Sequence, residues 1–246
     1  MEVEKRIGCQ QTLSIVSCPI YHASLLEEHG KQIYFLLTTF QTLICMKIQM
    51  FIVGMLQTNC YVVSCQETQD AIIIDPGLDI PSEAEQIFSF VDECMLKVKF
   101  LVNTHGHQDH ICGDKILKRK YNVPICIHAY DAHAIEDLDE GISLGNILLG
   151  AEDLLKFGKA TLKVMHTPGH TPGSISLVGD KLVFTGDTLF ARGIGRTDFP
   201  GGSDLDMRLS LEKLRQLPDD YYVYPGHGLA TVMGEEKRFN PFLRML

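Results

Sequence analysis

Apolar and polar positions alternate in short runs along this chain, from about residue 46 to the C-terminus. Runs of strand-like length predict β-strands near 47–53, 60–65, 70–75, 98–103, 124–128, 161–166, 174–178, 181–185 and 221–224. Apolar positions at helical spacing predict helices near 81–97, 111–121 and 203–216. Strands and helices that follow one another in this way indicate an α/β or α+β domain.

The composition is that of an ordinary globular protein. Of the 246 residues, 45% are hydrophobic and 22% are charged, which is enough apolar material for one large core or a small pair of domains. The formal net charge of −9 argues against sequence-independent binding to nucleic acid. No apolar stretch reaches the roughly 18 residues that span a bilayer. We therefore expect neither nucleic acid nor a membrane as a partner.

The number and placement of the cysteines indicate a reducing compartment. Eight are present, without a Cys-x-x-Cys pair or a regular spacing, and most lie inside apolar stretches. This distribution is typical of small buried side chains in a reducing environment. Since no segment resembles an export signal, we predict a cytoplasmic protein with free thiols.

The most informative segment is Thr-His-Gly-His-Gln-Asp-His at 104–110, which directly follows the apolar run 98–103. Buried imidazoles need partners for both ring nitrogens, so ordinary domains rarely crowd them together. Three histidines and a carboxylate within six positions therefore indicate metal ligation. The cluster consists of His105, His107, Asp109 and His110, and it lies in a loop at the carboxyl end of a predicted strand, where ligands of helix-covered sheets bind.

Three further strand ends carry side chains of the same kind. His170 lies between two Pro-Gly steps, Asp187 follows Gly186, and His227 follows Gly226. Each alone is typical of a turn. A zinc ion needs three or four protein ligands, and the cluster could serve two neighbouring ions, so we predict that all four segments meet at one site.

These residues carry a family resemblance. From about Met46 onward the chain resembles the metallo-β-lactamase superfamily, and within it the glyoxalase II-type (hydroxyacylglutathione hydrolase-like) enzymes. Besides the His-x-His-x-Asp-His signature, the resemblance is carried by the segments Leu56–Tyr61, Ile74–Gly77, Thr185–Phe190, Gly195–Pro200 and Tyr224–Gly228. It implies an αββα sandwich, an α/β fold in which two mixed sheets lie face to face between outer helices.

The resemblance also implies a ligand set for two divalent metal ions, with zinc expected and iron or manganese open. The first ion would be held by His105, His107 and His170, and the second by Asp109, His110 and His227. Asp187 would bridge the two. Every one of these positions carries the residue type that the family pattern requires.

Such a site implies hydrolysis of a small-molecule thioester by a hydroxide held between the two ions. We assign Asp109 the catalytic role of orienting that hydroxide. Asp75 is a candidate for supporting the ligand loops from behind, with an ordinary Asp-Pro turn as the equal alternative. Candidates for contacts with the substrate are Arg192, Arg196 and Tyr130.

Other functions compete with this hypothesis. The main alternative is a mononuclear iron persulfide dioxygenase, which would use His105, His170 and Asp187 and shares the Gly-Arg-Thr-Asp-Phe segment at 195–199. A β-lactamase is disfavoured because no cysteine stands among the ligands and no export signal is evident. A non-catalytic scaffold is disfavoured because no ligand is missing, and a nuclease because no basic surface is evident.

The two ends of the chain give two further expectations. Residues 1–45 match nothing in the family, so we interpret them as an extension of unknown role that is dispensable for folding, and residues 46–246 as the catalytic domain. The chain ends 19 residues after His227, without the helical region that supplies the glutathione site of full-length glyoxalase II enzymes. The acyl group, its thiol carrier and the oligomeric state therefore stay open.

Overall fold

A computed structural model describes residues 46–139 and 146–246 of this protein. The predicted extension at 1–45 lies outside the described residues. Within these ranges, none of the helices combines the length and the apolar character that crossing a membrane requires.

The first sheet has six strands, hydrogen-bonded in chain order. They are β1 (Met46–Val53), β2 (Thr58–Cys65), β3 (Asp70–Ile74), β4 (Lys97–Val102), β5 (Ile125–His128) and β6 (Ile147–Leu149). The first three pair antiparallel, and β3 to β6 pair parallel, so the sheet is mixed. Parallel pairing places the carboxyl ends of β3, β4 and β5 at one edge, which is the edge that carries the histidine cluster.

The second sheet also has six strands. They are β7 (Leu154–Phe157), β8 (Ala160–His166), β9 (Ile175–Gly179), β10 (Leu182–Gly186), β13 (Tyr222–Pro225) and β14 (Thr231–Val232), in the order β14-β13-β10-β9-β8-β7. Only β10 and β13 pair parallel. A separate hairpin is formed by β11 (Leu189–Phe190) and β12 (Gly193–Ile194).

The two sheets face each other across an aromatic contact. The ring of Tyr61 on β2 lies 5.1 Å from that of Phe184 on β10 and 5.8 Å from that of Tyr224 on β13. The Tyr61 hydroxyl donates to the carbonyl of Pro225 at 2.6 Å. Every residue of β2 and of β10 is buried, as expected for strands that are covered on both faces.

Helices cover the outer faces. They are α1 (Pro81–Glu93), α2 (Gln108–Ile111), α3 (Asp114–Tyr121), α4 (Asp204–Arg215), α5 (Met233–Phe239) and α6 (Pro241–Arg244), with a 3₁₀ segment at Ala129–Asp139. Ile87, Val91 and Leu117 belong to the core between α1, α3 and the first sheet. Met207 and Leu211 of α4 belong to the core over the second sheet. The αββα sandwich is thus the observed fold.

Several predicted boundaries were wrong. The helix predicted to 97 ends at Glu93, because β4 begins at Lys97. The helix predicted at 111–121 is two helices, since the amide of Gly113 donates to the carbonyl of Pro76 at 2.8 Å instead of continuing the helix. The strands β6, β7 and β14 and the helices α5 and α6 were not predicted, and each has only two to seven residues.

Candidate metal centre

Three histidines, carried by loops of the two sheets, meet at the edge of the first sheet where β3, β4 and β5 end. His105 and His107 lie in the loop after β4, and His170 lies in the loop after β8. The Nδ1 atom of His107 lies 3.1 Å from Nε2 of His105 and 2.8 Å from Nε2 of His170. The amide of Ile175 donates to the carbonyl of Thr104 at 2.8 Å, which ties the two loops together. We call these three histidines the first group.

A second group lies beside the first. Asp109 and His110 are on the one-turn helix α2, and not in a loop as predicted, and His227 follows β13. Nε2 of His227 lies 3.2 Å from Nε2 of His110 and 3.2 Å from Oδ2 of Asp109. The three side chains thus offer two nitrogens and one oxygen, all within 4.8 Å of one another.

Asp187 lies between the groups. It follows β10, and its Oδ1 atom lies 3.5 Å from Nε2 of His110. Its Oδ2 atom lies 3.5 Å from Nε2 of His170 and 3.5 Å from Nε2 of His227. One carboxylate therefore lies within 3.5 Å of histidines of both groups.

Contacts behind the histidines orient their rings. Nδ1 of His170 donates to the carbonyl of Arg196 at 2.7 Å, and Nδ1 of His227 donates to the carbonyl of Leu56 at 3.1 Å. A carbonyl only accepts, so Nδ1 carries a proton in both rings, and Nε2 is the nitrogen that faces the site. Such outer contacts fix the tautomer that a metal ligand requires.

Asp75 lies behind His110 as an ion-pair partner. Its Oδ2 atom lies 3.0 Å from Nδ1 of His110. The same carboxylate is almost fully buried and accepts from the amide and the hydroxyl of Thr104, at 2.7 and 2.8 Å. Asp75 therefore joins the start of the histidine loop to α2, as a residue that supports the ligands from behind would.

Two histidines of the first group, His105 and His107, favour the neutral imidazole form. Burial and the neighbouring His110 lower the pKa of His105 well below its ordinary value. Burial and the nearby His170 also lower the pKa of His107. These two rings therefore stay unprotonated, with a lone pair free for an ion, at neutral pH.

The residues of the second group favour their charged forms. Burial opposes protonation of His110, but the carboxylates of Asp187 and Asp75 raise its pKa to about 9. Burial also opposes protonation of His227, but the hydrogen bond with Asp109 and the charge of Asp187 raise its pKa. Burial opposes ionisation of Asp109, yet the hydrogen bond with His227 and the charge of His110 lower its pKa to about 2.

The donor set fits divalent metal ions. Nε2 of His170 and Nε2 of His227 face other ring nitrogens and carboxylate oxygens, and only protons or cations between these atoms stabilise such an arrangement. Oδ1 of Asp187 is buried and has no hydrogen-bond partner among the described residues. Nitrogen and oxygen donors in these numbers suit zinc, iron or manganese.

Arg196 lies at the rim of the site. Its guanidinium forms a two-point contact with Asp198, at 2.9 and 2.8 Å, and stacks on the ring of Phe199 at 4.3 Å. That ring lies 5.5 Å from the ring of His107 and 6.0 Å from the ring of His170. Phe199 was not singled out from the sequence, although it lies within the segment 195–200 that carries the family resemblance.

The other two substrate candidates have structural contacts. The guanidinium of Arg192 pairs with Glu235 at 3.0 Å and stacks on the ring of Phe239 at 4.6 Å, which anchors α5. Tyr130 is 66% exposed, and its ring lies 5.1 Å from that of His128. Their role in substrate binding stays a prediction.

Known proteins are similar to this chain in sequence. Residues 53–227 match the family model of the metallo-beta-lactamase superfamily. The chain is 38% identical over 214 residues to the hydroxyacylglutathione hydrolase GloC of Haemophilus influenzae, covering 80% of this chain and 98% of that protein. It is 33% identical over 195 residues to the human mitochondrial persulfide dioxygenase ETHE1, covering 76% of this chain and 72% of that protein.

Solved structures agree with the sequence relatives. The BLEG-1 B3 metallo-beta-lactamase superimposes with a TM-score of 0.70 at 33% identity, covering 80% of this chain and 99% of that one. The di-iron-bound form of TTHA1623 superimposes with a TM-score of 0.69 at 32% identity, covering 79% and 100%. With the family model matched over most of its length, this chain belongs to the metallo-beta-lactamase superfamily.

Proposed function

We propose that this protein is a binuclear metal-dependent hydrolase of thioesters, of the hydroxyacylglutathione hydrolase type. The observation that carries the proposal is the complete second group, Asp109, His110 and His227, beside the first, with Asp187 in contact with both. In the mononuclear alternative, the second group would not hold a metal ion. The similarity to GloC, which extends over nearly all of that protein, supports the same reaction class.

We propose zinc as the metal of both groups, because zinc accepts nitrogen and carboxylate ligands together. The two irons of TTHA1623 keep iron as the alternative. Divalent ions in this position would polarise the thioester carbonyl and make water a stronger nucleophile at neutral pH.

Asp109 is the residue that we propose to orient the attacking water. Its side chain is 24% exposed, so solvent reaches it, while its low pKa keeps it ionised and able to accept a hydrogen bond. The hydroxyl of Thr58 donates to its Oδ2 atom at 3.4 Å and helps to hold the carboxylate in place. The water gives up one proton to solvent as its oxygen bonds to the carbonyl carbon, and the carbon–sulfur bond then breaks to give a carboxylic acid and a thiolate. The thiolate that leaves needs little protonation, since thiols ionise near pH 8.5.

Persulfide oxidation is the second candidate. His105, His170 and Asp187 provide two histidines and a carboxylate, the ligand pattern of oxygen-using non-haem iron enzymes. The 33% identity to human persulfide dioxygenase supports this alternative. That reaction would need iron on these three residues and would not use His227 as a ligand.

The metal content of the purified protein and three assays distinguish these functions. We would measure thiol release from lactoylglutathione, oxygen consumption with glutathione persulfide, and hydrolysis of a β-lactam because of the likeness to BLEG-1. About two zinc ions per chain with thiol release supports the proposal. One iron per chain with oxygen consumption transfers the assignment to the dioxygenase.

One variant separates the two candidates within the same site. His227→Ala removes a candidate ligand of the second group, so hydrolysis should fall by at least the roughly 10- to 100-fold that the loss of an outer contact behind a ligand costs. The exposed histidine His133 provides the matched control, and His133→Ala should hydrolyse as the wild type does. A His227→Ala protein that hydrolyses normally would refute the binuclear proposal.

A further inference from the structure

Asp131 has contacts that neither the proposed reaction nor the sequence patterns explain. It lies in the first turn of the 3₁₀ segment after β5, and only 2% of it is exposed. Its Oδ2 atom accepts from the amide of Gly106 at 2.9 Å and from the hydroxyl of Thr171 at 2.6 Å. Its Oδ1 atom accepts from the amide of Gly173 at 2.8 Å. Three donors thus stabilise one buried carboxylate.

The donors come from the two loops that carry the first group. Gly106 stands between His105 and His107, in the loop after β4 of the first sheet. Thr171 directly follows His170, in the loop after β8 of the second sheet. Asp131 therefore links the ligand loops of opposite sheets through a single side chain.

The fit between Asp131 and the second loop is close. A Cβ atom on Gly173 would lie 2.5 Å from Oδ1 and 2.4 Å from Cγ of Asp131, so the carboxyl group occupies the space of a side chain there. The Thr171 hydroxyl also lies 2.7 Å from Oγ of Ser174, which holds it in place to donate. A contact this close fixes the position of the loop backbone.

The second group is held by other contacts. His110 faces Asp75, and Nδ1 of His227 donates to the carbonyl of Leu56. Neither contact involves Asp131. Loss of the Asp131 carboxylate should therefore loosen the first group and leave the second in place.

We propose that Asp131 is the positioning residue of the first group: it fixes the loop of His105 and His107 against the loop of His170 and so sets the zinc affinity of that group separately from the other. The inference rests on the metal-binding part of the proposed function. Support of this kind behind metal ligands commonly changes metal affinity 10- to 100-fold.

The test uses Asp131→Asn, which keeps the size of the side chain. An amide retains one acceptor oxygen, and its NH₂ group must then face a donor of one of the two loops. Zinc dissociation constants are measured on the full chain by competition with a chromophoric chelator, without substrate. Two backgrounds separate the groups, since His227→Ala disables the second and His170→Ala disables the first.

In the His227→Ala background, Asp131→Asn should weaken zinc binding roughly 10- to 100-fold. In the His170→Ala background, it should change zinc binding less than about threefold. Equal weakening in both backgrounds, or no weakening in the first, would overturn the inference. Failure of the unsubstituted chain to bind zinc would instead overturn the proposed function.

A matched control separates positioning from general stability. Glu236 is another fully buried carboxylate with three donors, namely the Arg192 amide, the Thr231 hydroxyl and the Asn240 amide group, at 2.8, 2.8 and 3.0 Å. Glu236→Gln should lower thermal stability without changing zinc affinity. A loss of zinc affinity equal to that of Asp131→Asn would contradict the inference.

A second variant serves if Asp131→Asn does not fold. Thr171→Val removes only one of the three hydrogen bonds to Asp131, and an unchanged zinc affinity of the first group in that variant overturns the inference.

Discussion

Acidification should release zinc from the second group before the first. The two groups differ in how strongly protons compete for their nitrogens. The pKa of His110 is raised to about 9, whereas the pKa values of His105 and His107 are lowered from the ordinary range of an imidazole. A zinc ion must displace the proton of His110 at neutral pH, but it meets unprotonated rings at His105 and His107.

The size of the effect follows from these values. Below pH 9, each unit of pH costs the second group about a factor of ten in zinc affinity through His110 alone. Between pH 8 and pH 6.5 this amounts to about 30-fold, or about 2 kcal/mol. His227, whose pKa is also raised, adds to the loss. Over the same interval proton competition at His105 and His107 is weaker, because the pKa values of both rings are lowered.

Equilibrium dialysis at a fixed free zinc concentration measures the difference. With free zinc chosen to saturate about half of the second group at pH 8, bound zinc should fall toward one ion per chain by pH 6.5. His170→Ala, which keeps the second group, should show the same pH dependence, and His227→Ala should show little. Loss of both ions at one pH, or greater acid sensitivity of His227→Ala, would refute the reasoning.

Three further predictions concern packing and protonation. Gly226→Ala would place a Cβ atom 2.2 Å from Oδ1 of Asp187 and 2.8 Å from Cε1 of His110. Zinc affinity should therefore fall at least about tenfold. An unchanged zinc affinity in chelator competition would contradict this prediction. Tyr61→Phe removes the hydrogen bond to Pro225 and should cost about 1 kcal/mol in urea unfolding, whereas no change would mean that the bond contributes nothing net. In metal-free protein, the raised pKa of His110 stabilises the fold fully below pH 6.5, and this stabilisation is lost as the pH rises through 9. Urea unfolding should show a loss of up to about 3 kcal/mol over that interval, and a gain would show that His110 is not protonated in the fold.

Local patterns were sufficient for the long elements. The strands around 47–53 and 60–65 and the helix around 203–216 were predicted because apolar periodicity persists over a full element. The ends were less accurate, as the division of the predicted helix at 111–121 shows. That division depends on the carbonyl of Pro76, which is far from Gly113 in sequence, so no local pattern indicates it.

By itself, the sequence determined which candidate metal-ligating side chains the chain offers and which segments carry them, because the spacing at 105–110 and the strand-end positions of His170, Asp187 and His227 are local features. Only the tertiary structure decided how the ligands are held. The carboxylate of Asp131 meets donors that are 25 to 42 positions away. Hydrogen bonds between segments that are distant in sequence depend on how the two sheets pack. Neither apolar periodicity nor residue type predicts which of these segments come together.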